Sequence, residues 1–361
     1  MVAHTSSTPG IARRAALLLG GTGVLATTLA ACTATPPAKK PSPARTGYGG
    51  RPITGAAEPG SAPIPTRTPA GRVVALPAGT RPWGVAVAPF VGRVYLAARH
   101  QDAFVVVHLR TNAVQKVAVP GSARMIDLVS TTGPLLLPAE DKATLYELAL
   151  PSLDVVRSSA TKRQPHQAVV VGDTTFVAQE YGHAVRVLRD GRRVADLPEP
   201  VQPGGITATD GRVAVVDVAT ATLFVYDATT LRLLAALPAG EGPSHVTLIG
   251  DARVAVCDVR GNAVLTYDLA GAPRRLGRAA VPGRAFWILA DPEARTIYAA
   301  LANTNRIVRL SVDRNGHPTV TGTLPTVQQP ISMDLDAASG TLYIGGYAAS
   351  QLQIAPVSAF A

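Results

Sequence analysis

The sequence predicts an all-β protein: a seven-bladed β-propeller of four-stranded antiparallel blades whose leading strand closes the last blade. Three observations predict it. Residues 202–240 read as four short strands separated by turn residues, weaker copies of that unit fill the chain from about residue 72 onward, and one unpaired strand precedes the first copy. Tight connections of a few residues favour up-and-down pairing within each unit.

Within the reference unit, residues 206–208 form the first strand and Thr209-Asp210-Gly211 turns it back. Residues 213–216 form a second strand, β-branched and apolar on both faces, and residues 223–226 a third. Asp227-Ala228-Thr229-Thr230 turns again into a fourth over 231–237. Alternation bounded by Asp, Thr and Gly clusters is the signature of short antiparallel strands.

The opening Pro-x-x-apolar step recurs as Pro82-Trp83-Gly84-Val85, Pro165-His166-Gln167-Ala168, Pro243-Ser244-His245-Val246 and Pro330-Ile331-Ser332-Met333. Degenerate copies stand at Ser122-Ala123-Arg124-Met125 and Gly283-Arg284-Ala285-Phe286. Counting Pro203-Gly204-Gly205-Ile206 makes seven, about 41 residues apart on average, the spacing of propeller blades. Pro138, within the second strand of unit two, marks an irregular blade because proline has no N–H for a ladder. The seventh unit offers three strands, the last over 351–357, and residues 71–78 match the missing fourth. That strand is expected to close the ring and leave no free edge.

These repeats resemble the YVTN-type seven-bladed β-propeller family of bacterial extracytoplasmic proteins, over roughly four-fifths of the chain. Val94-Tyr95-Leu96-Ala97 and Ile297-Tyr298-Ala299-Ala300 stand nearest to the family's Tyr-Val-x-Asn signature. The resemblance implies a propeller working outside the cytoplasm.

Residues 1–31 read as a lipoprotein signal peptide: Arg13-Arg14, an apolar run over 15–30, then Leu29-Ala30-Ala31-Cys32. The last four residues resemble a bacterial lipobox, which implies lipidation, with palmitate among the acyl chains, at Cys32. The arginine pair leaves both the general secretory and the twin-arginine route open. Residues 32–70 are dense in Pro, Ala, Thr, Ser and Gly, and read as a disordered tether before a propeller over 71–361. The tether carries Lys39, Lys40, Arg45, Arg51 and Arg67 against Glu58 alone, a net charge of +4. It therefore holds much of the formal net charge of +10 and places it beside anionic headgroups. With aromatics at 5%, a stacking groove for nucleic acid is not indicated. The partners indicated are the membrane, through the lipid anchor, and a small molecule, envelope component or protein.

Two columns of residues are expected around one mouth of the channel, since first strands begin where second strands end. The candidate ligand-binding residues there are Trp83, Arg124, His166, Glu180, Asp217, His245, Asp258 and Arg284. Imidazoles and carboxylates are the donors a divalent metal takes, so His166, Glu180, Asp217, His245 and Asp258 form a candidate metal set. A competing expectation is that acids at strand ends satisfy local backbone amides. Trp287 reads as core and Cys257 as a buried thiol; Cys32 is the only other cysteine, so no disulfide framework is indicated. The functional alternatives are a binding or scaffolding module with its ligand at the mouth, and a metal-dependent lactonase- or lyase-like enzyme. Fold alone does not choose between them.

Overall fold

The computed structural model describes residues 46–361 apart from Asp210. The export segment, Cys32 and the tether up to residue 45 lie outside the described residues. Seven sheets of four antiparallel strands make the fold, and among the described residues no helix is long and apolar enough to cross a membrane. The blades span residues 82–118, 127–160, 165–197, 203–238, 243–280, 285–325 and 330–356. In the reference unit the strands are Pro203–Ala208, Arg212–Asp217, Thr222–Asp227 and Leu233–Pro238.

Arg72–Ala75 completes blade seven, pairing antiparallel with Gln351–Pro356 from Arg72↔Ile354 to Ala75↔Gln351. The seam is also an apolar core, in which Val74, Leu76, Leu352 and Ile354 pack with Val85 and Leu96 of blade one. Equivalent cores join the other blades, such as Phe176, Val187, Val213 and Phe224 between blades three and four. Because each sheet is covered on both faces, its strands are apolar on both faces; Arg253–Asp258, for instance, is buried from its second residue onward. Cys257 lies in that strand, fully buried, with its thiol pushed well up by burial and therefore inert.

Blade two is the irregular one. Its first strand is only Asp127–Leu128, and pairing to Leu135–Ala139 covers Leu135 and Leu136 alone. Pro138 lies beyond that pairing and is matched only with Leu145 of the third strand.

Residues 46–70, assigned from composition to a disordered tether, are seated on the ring instead. The amide of Thr54 donates to the Ala219 carbonyl at 2.8 Å, and Arg260 Nη2 donates to the Gly55 carbonyl at 3.0 Å. Gln329, Gln328 and Asn305 donate side-chain N–H groups to the carbonyls of Gly60, Ala62 and Pro63 at 2.8–2.9 Å. Ala57 is buried in an apolar cluster with Trp83, Phe286 and Ile331. Composition misses this strap because hydrogen bonds to its backbone and a few scattered side chains (Tyr48 on Phe224, Ala56 and Ala57 on the blade cores) hold it, with no apolar period to read.

Candidate functional site

Most first strands open with a β-bulge, and the bulges build the mouth. Register shifts between Pro82 and Gly84, Pro165 and Gln167, Pro243 and Val246, Ala285 and Trp287, and Pro330 and Ser332. The residue left out of the ladder is free to aim its side chain away from the sheet. Trp83, His166, His245, Phe286 and Ile331 gather at the channel in this way, all buried. Gly205 makes room for the histidine of the next blade: a Cβ there would come within 2.8 Å of the His245 Cα.

Five of the eight sequence candidates converge on this mouth: Trp83, Arg124, His166, Glu180 and His245. The centre is the guanidinium of Arg124. Its Nε lies 2.5 Å from Glu140 Oε1, its Nη2 bonds Glu180 Oε2, and all three side chains are only 8% exposed. Gln202 Nε2 donates to the other Glu180 oxygen at 2.9 Å. His166 Nδ1 stands 3.6 Å from Glu140 and 3.9 Å from Glu180, within Coulombic reach but beyond hydrogen-bond length. Burial opposes ionisation of both carboxyls, yet the neighbouring His166 and Arg124 hold each below the usual carboxylate range. Burial likewise opposes the charge on Arg124, and the two glutamates reverse that and push its pKa up. His245 goes the other way: burial, with the nearby His166, pulls it down to about 3, so it is neutral. Its Nδ1 donates to the Phe286 carbonyl at 2.8 Å, leaving Nε2 without a partner among the described residues.

The other three candidates are corrections. Asp217 turns into its own blade, accepting from the amides of Val201, Gln202 and Ala219 and from the Thr220 hydroxyl. Asp258 does the same with the amides of Glu241, Gly242 and Gly261. Both therefore leave the metal set, having spent their oxygens on local backbone as strand-end acids do. Arg284 is exposed on the loop before blade six, at φ +58°, its amide bonded to Asn262. The bulge falls two residues later, so Phe286 holds the place expected for Arg284.

Glu140 is the functional residue the sequence reading missed. Pro165 pairs with Gln179 as Pro203 pairs with Asp217 and Pro243 with Asp258, so Glu180 lies one residue past the second strand. Alternate residues of a strand face opposite ways, and one step separates a backbone-capping position from a channel-facing one. Glu140, following Leu135–Ala139, matches Glu180, and acids at that place in two successive blades are the signal that finds the site.

Glu140, His166 and Glu180 offer donor atoms within 4.8 Å of one another, a spacing a cation could use. The donors do not fit a divalent metal, because the guanidinium of Arg124 already binds one oxygen of each carboxylate. A metal ion would stand against a fixed positive charge.

The strap covers this end of the ring. Ala56, Ala57 and Glu58 form its lid, and about 30 Å³ remains beneath, room for about one or two waters. The far end of the same first strands is open, with a cavity of about 570 Å³ between residues 85–91 and 333–338. Trp287, expected to be core, packs 4.5 Å from the His245 ring and also lines that open cavity.

These features define a closed seven-bladed propeller with one capped and one open channel end. No family model matches the chain, and no curated protein matches it. Solved structures do. The structure of U3-55K matches with a TM-score of 0.70 at 10% identity, covering 80% of this chain and 100% of that one. A chain of the mitotic checkpoint complex gives 0.69 at 11% identity, covering 83% and 98%. Virginiamycin B lyase from Staphylococcus aureus gives 0.66 at 13% identity, covering 79% and 98%. At such identities the likeness is one of fold.

Proposed function

We propose that this chain is a binding or scaffolding module of the cell envelope, a propeller exported from the cytoplasm and held at the membrane by a lipid on Cys32. Its partner is a small molecule, an envelope component or a protein, taken at the channel. The contrast between the two channel ends carries this reading. At the capped end Arg124 binds both glutamates and the three side chains lie buried under residues 56–58, which leaves no acid or base within the mouth open to a substrate for proton transfer; the exposed carboxyl there is Glu58 of the strap itself. At the other end the ring presents a cavity of the size that small ligands occupy. The propeller in the mitotic checkpoint complex supports the protein-binding side of the reading by fold alone.

The alternative, a metal-dependent lactonase- or lyase-like enzyme, has the 4.8 Å grouping of Glu140, His166 and Glu180 and the fold of virginiamycin B lyase in its favour. Arg124 weighs against it.

The test uses the full-length protein produced in a lipoprotein-processing bacterium. Cys32→Ser is expected to move it from the membrane to the soluble fraction. A thermal-shift screen of lactones and envelope fragments, with and without a chelator, is expected to find a ligand whose stabilisation ignores the chelator. Turnover of a lactone that requires metal and disappears in His166→Ala would establish the enzyme instead.

A further inference from the structure

Among the described residues, the open end of the channel carries charge of one sign only: its wall contains Asp127, Asp334 and Asp336 and no Lys, Arg or His. The chain as a whole is basic, with 34 Lys and Arg against 24 Asp and Glu, so this is a local reversal of the protein's charge.

Two of the acids form a matched pair. Asp127 pairs across its blade with Leu136, and Asp334 across its own with Tyr343, each partner three residues before the end of the second strand. They therefore hold the same level in blades two and seven, with blade one between them and small Ala86 at that level. Asp334 is held from behind by the amides of Val87 and Leu335, both at 2.8 Å. Asp127 Oδ1 accepts from Gln167 Nε2 at 3.2 Å, while its buried Oδ2 has no hydrogen-bond partner among the described residues. Burial, with Asp334 adding its charge, pushes Asp127 up to about 7; burial, with Asp336 nearby, pushes Asp334 up to about 6. Around the pair the wall is apolar, with Trp287, Met333 and Leu335 inside and Phe90, 80% exposed, at the rim.

We propose that the open end binds a small organic ammonium, with its nitrogen between Asp127 and Asp334 and its apolar body against Trp287 and Met333. This rests on the binding-module reading and names the ligand class. A bare divalent ion suits the place less well, because it takes six or more oxygens and Asp334 already spends both of its own on amides. An ammonium needs only one or two acceptors, which the Asp127 carboxylate supplies while Asp334 adds its negative charge. The volume of about 570 Å³ lies within the usual range for such ligands.

Protonation gives the site a pH dependence. The ionisable groups facing Asp127 are Asp334 and, farther out, Asp336; its contact from blade three is the neutral amide of Gln167, and blade one faces it with apolar Ala86 and Val87. A cation binds the ionised pair, so binding strengthens as pH rises from 5 to 8 and expels protons near neutrality.

The test titrates the full-length protein with phenethylamine, with 2-phenylethanol and with calcium chloride alone, by calorimetry and by tryptophan fluorescence with Trp287→Phe as control. At pH 8 the amine is expected to bind at least about tenfold more tightly than the alcohol, and to lose about tenfold by pH 5. Asp127→Asn and Asp334→Asn are expected to abolish the preference while circular dichroism and thermal unfolding show a folded ring. No amine binding, equal binding of amine and alcohol, a preference that survives both substitutions, or displacement of the amine by calcium would each overturn the proposal. Those failures leave the binding-module reading standing. Metal-dependent turnover through His166 would remove that reading without altering these titrations.

Discussion

At the scale of single residues, Arg124 determines what the capped mouth can do. Its one positive charge is shared between two buried glutamates that would otherwise face each other as unpaired anions, and removing one partner of such a group costs about 3–5 kcal/mol. Arg124→Gln is therefore expected to lower stability by about that amount, measured by denaturant unfolding at pH 7. The freed carboxylates should then accept a divalent ion, so calcium raises the Tm of the variant and leaves the wild type unmoved. Equal calcium shifts in both proteins would contradict this account of the site. The pH dependence of this centre and of Asp127 have opposite signs. The folded-state pKa values of Glu140 and Glu180 are depressed, so their stabilisation is present above the unfolded carboxylate pKa and lost as pH falls through the folded values. Asp127 is raised to about 7, so its contribution is full below about pH 4 and is lost as pH climbs to 7. Asp127→Asn should gain stability relative to wild type between pH 4 and 8, by up to about 4 kcal/mol, and a parallel pair of pH–stability curves would refute it.

At the scale of the element, the repeats and most of the mouth were legible and the facing of its strand-end residues was not, for a definite reason. Strands and turns are written locally, so 213–216 or Pro243-Ser244-His245 can be read without knowing anything about its neighbours. The closing strand was legible too, because residues 71–78 match the place that blade seven leaves open. Which way a side chain points at a strand end depends on register, and a one-residue offset is invisible until the pairing is known. Reading blade three at Glu180 instead of Gln179 put the acid column on two faces at once, admitting Asp217 and Asp258 and passing over Glu140. The bulge did the same in blade six, where Phe286 and not Arg284 reaches the channel. The strap is an element of another kind, extended and held at its carbonyls by side chains of several blades. Ala57 is its buried side chain, set in a space with about 30 Å³ left over. Ala57→Trp cannot be seated there, and overpacking of this sort costs about 1–3 kcal/mol. Hydrogen exchange should then quicken at Thr54 and Gly55, whose amides donate to Ala219, while Pro82–Ala88 stays protected. Unchanged exchange at Thr54 and Gly55 would mean that the strap tolerates the indole and does not depend on this contact.

At the scale of the whole molecule, the strap and the closing strand are consecutive in the chain but do different work, and truncation can separate them. A protein beginning at Gly71 loses the cover over Arg124 and keeps Arg72–Ala75 in blade seven. It is expected to unfold in one cooperative step with a modest loss, since what departs is held mainly by exposed or half-buried hydrogen bonds. A protein beginning at Pro77 also loses Val74 and Leu76 from the seam, about 1.5–3 kcal/mol for each buried side chain. It further leaves Gln351–Pro356 as an open edge above Leu352 and Ile354, and an unpaired edge invites pairing between molecules. Light scattering should therefore report self-association in the second truncation and none in the first. Val74→Asp in the full-length protein serves as the control, because it breaks the seam without removing the strap. It should lower the Tm toward that of the longer truncation while hydrogen exchange at Thr54 stays slow. If both truncations unfold alike and neither associates, the join between blades seven and one is not what holds the ring shut, and inter-blade packing alone must carry it.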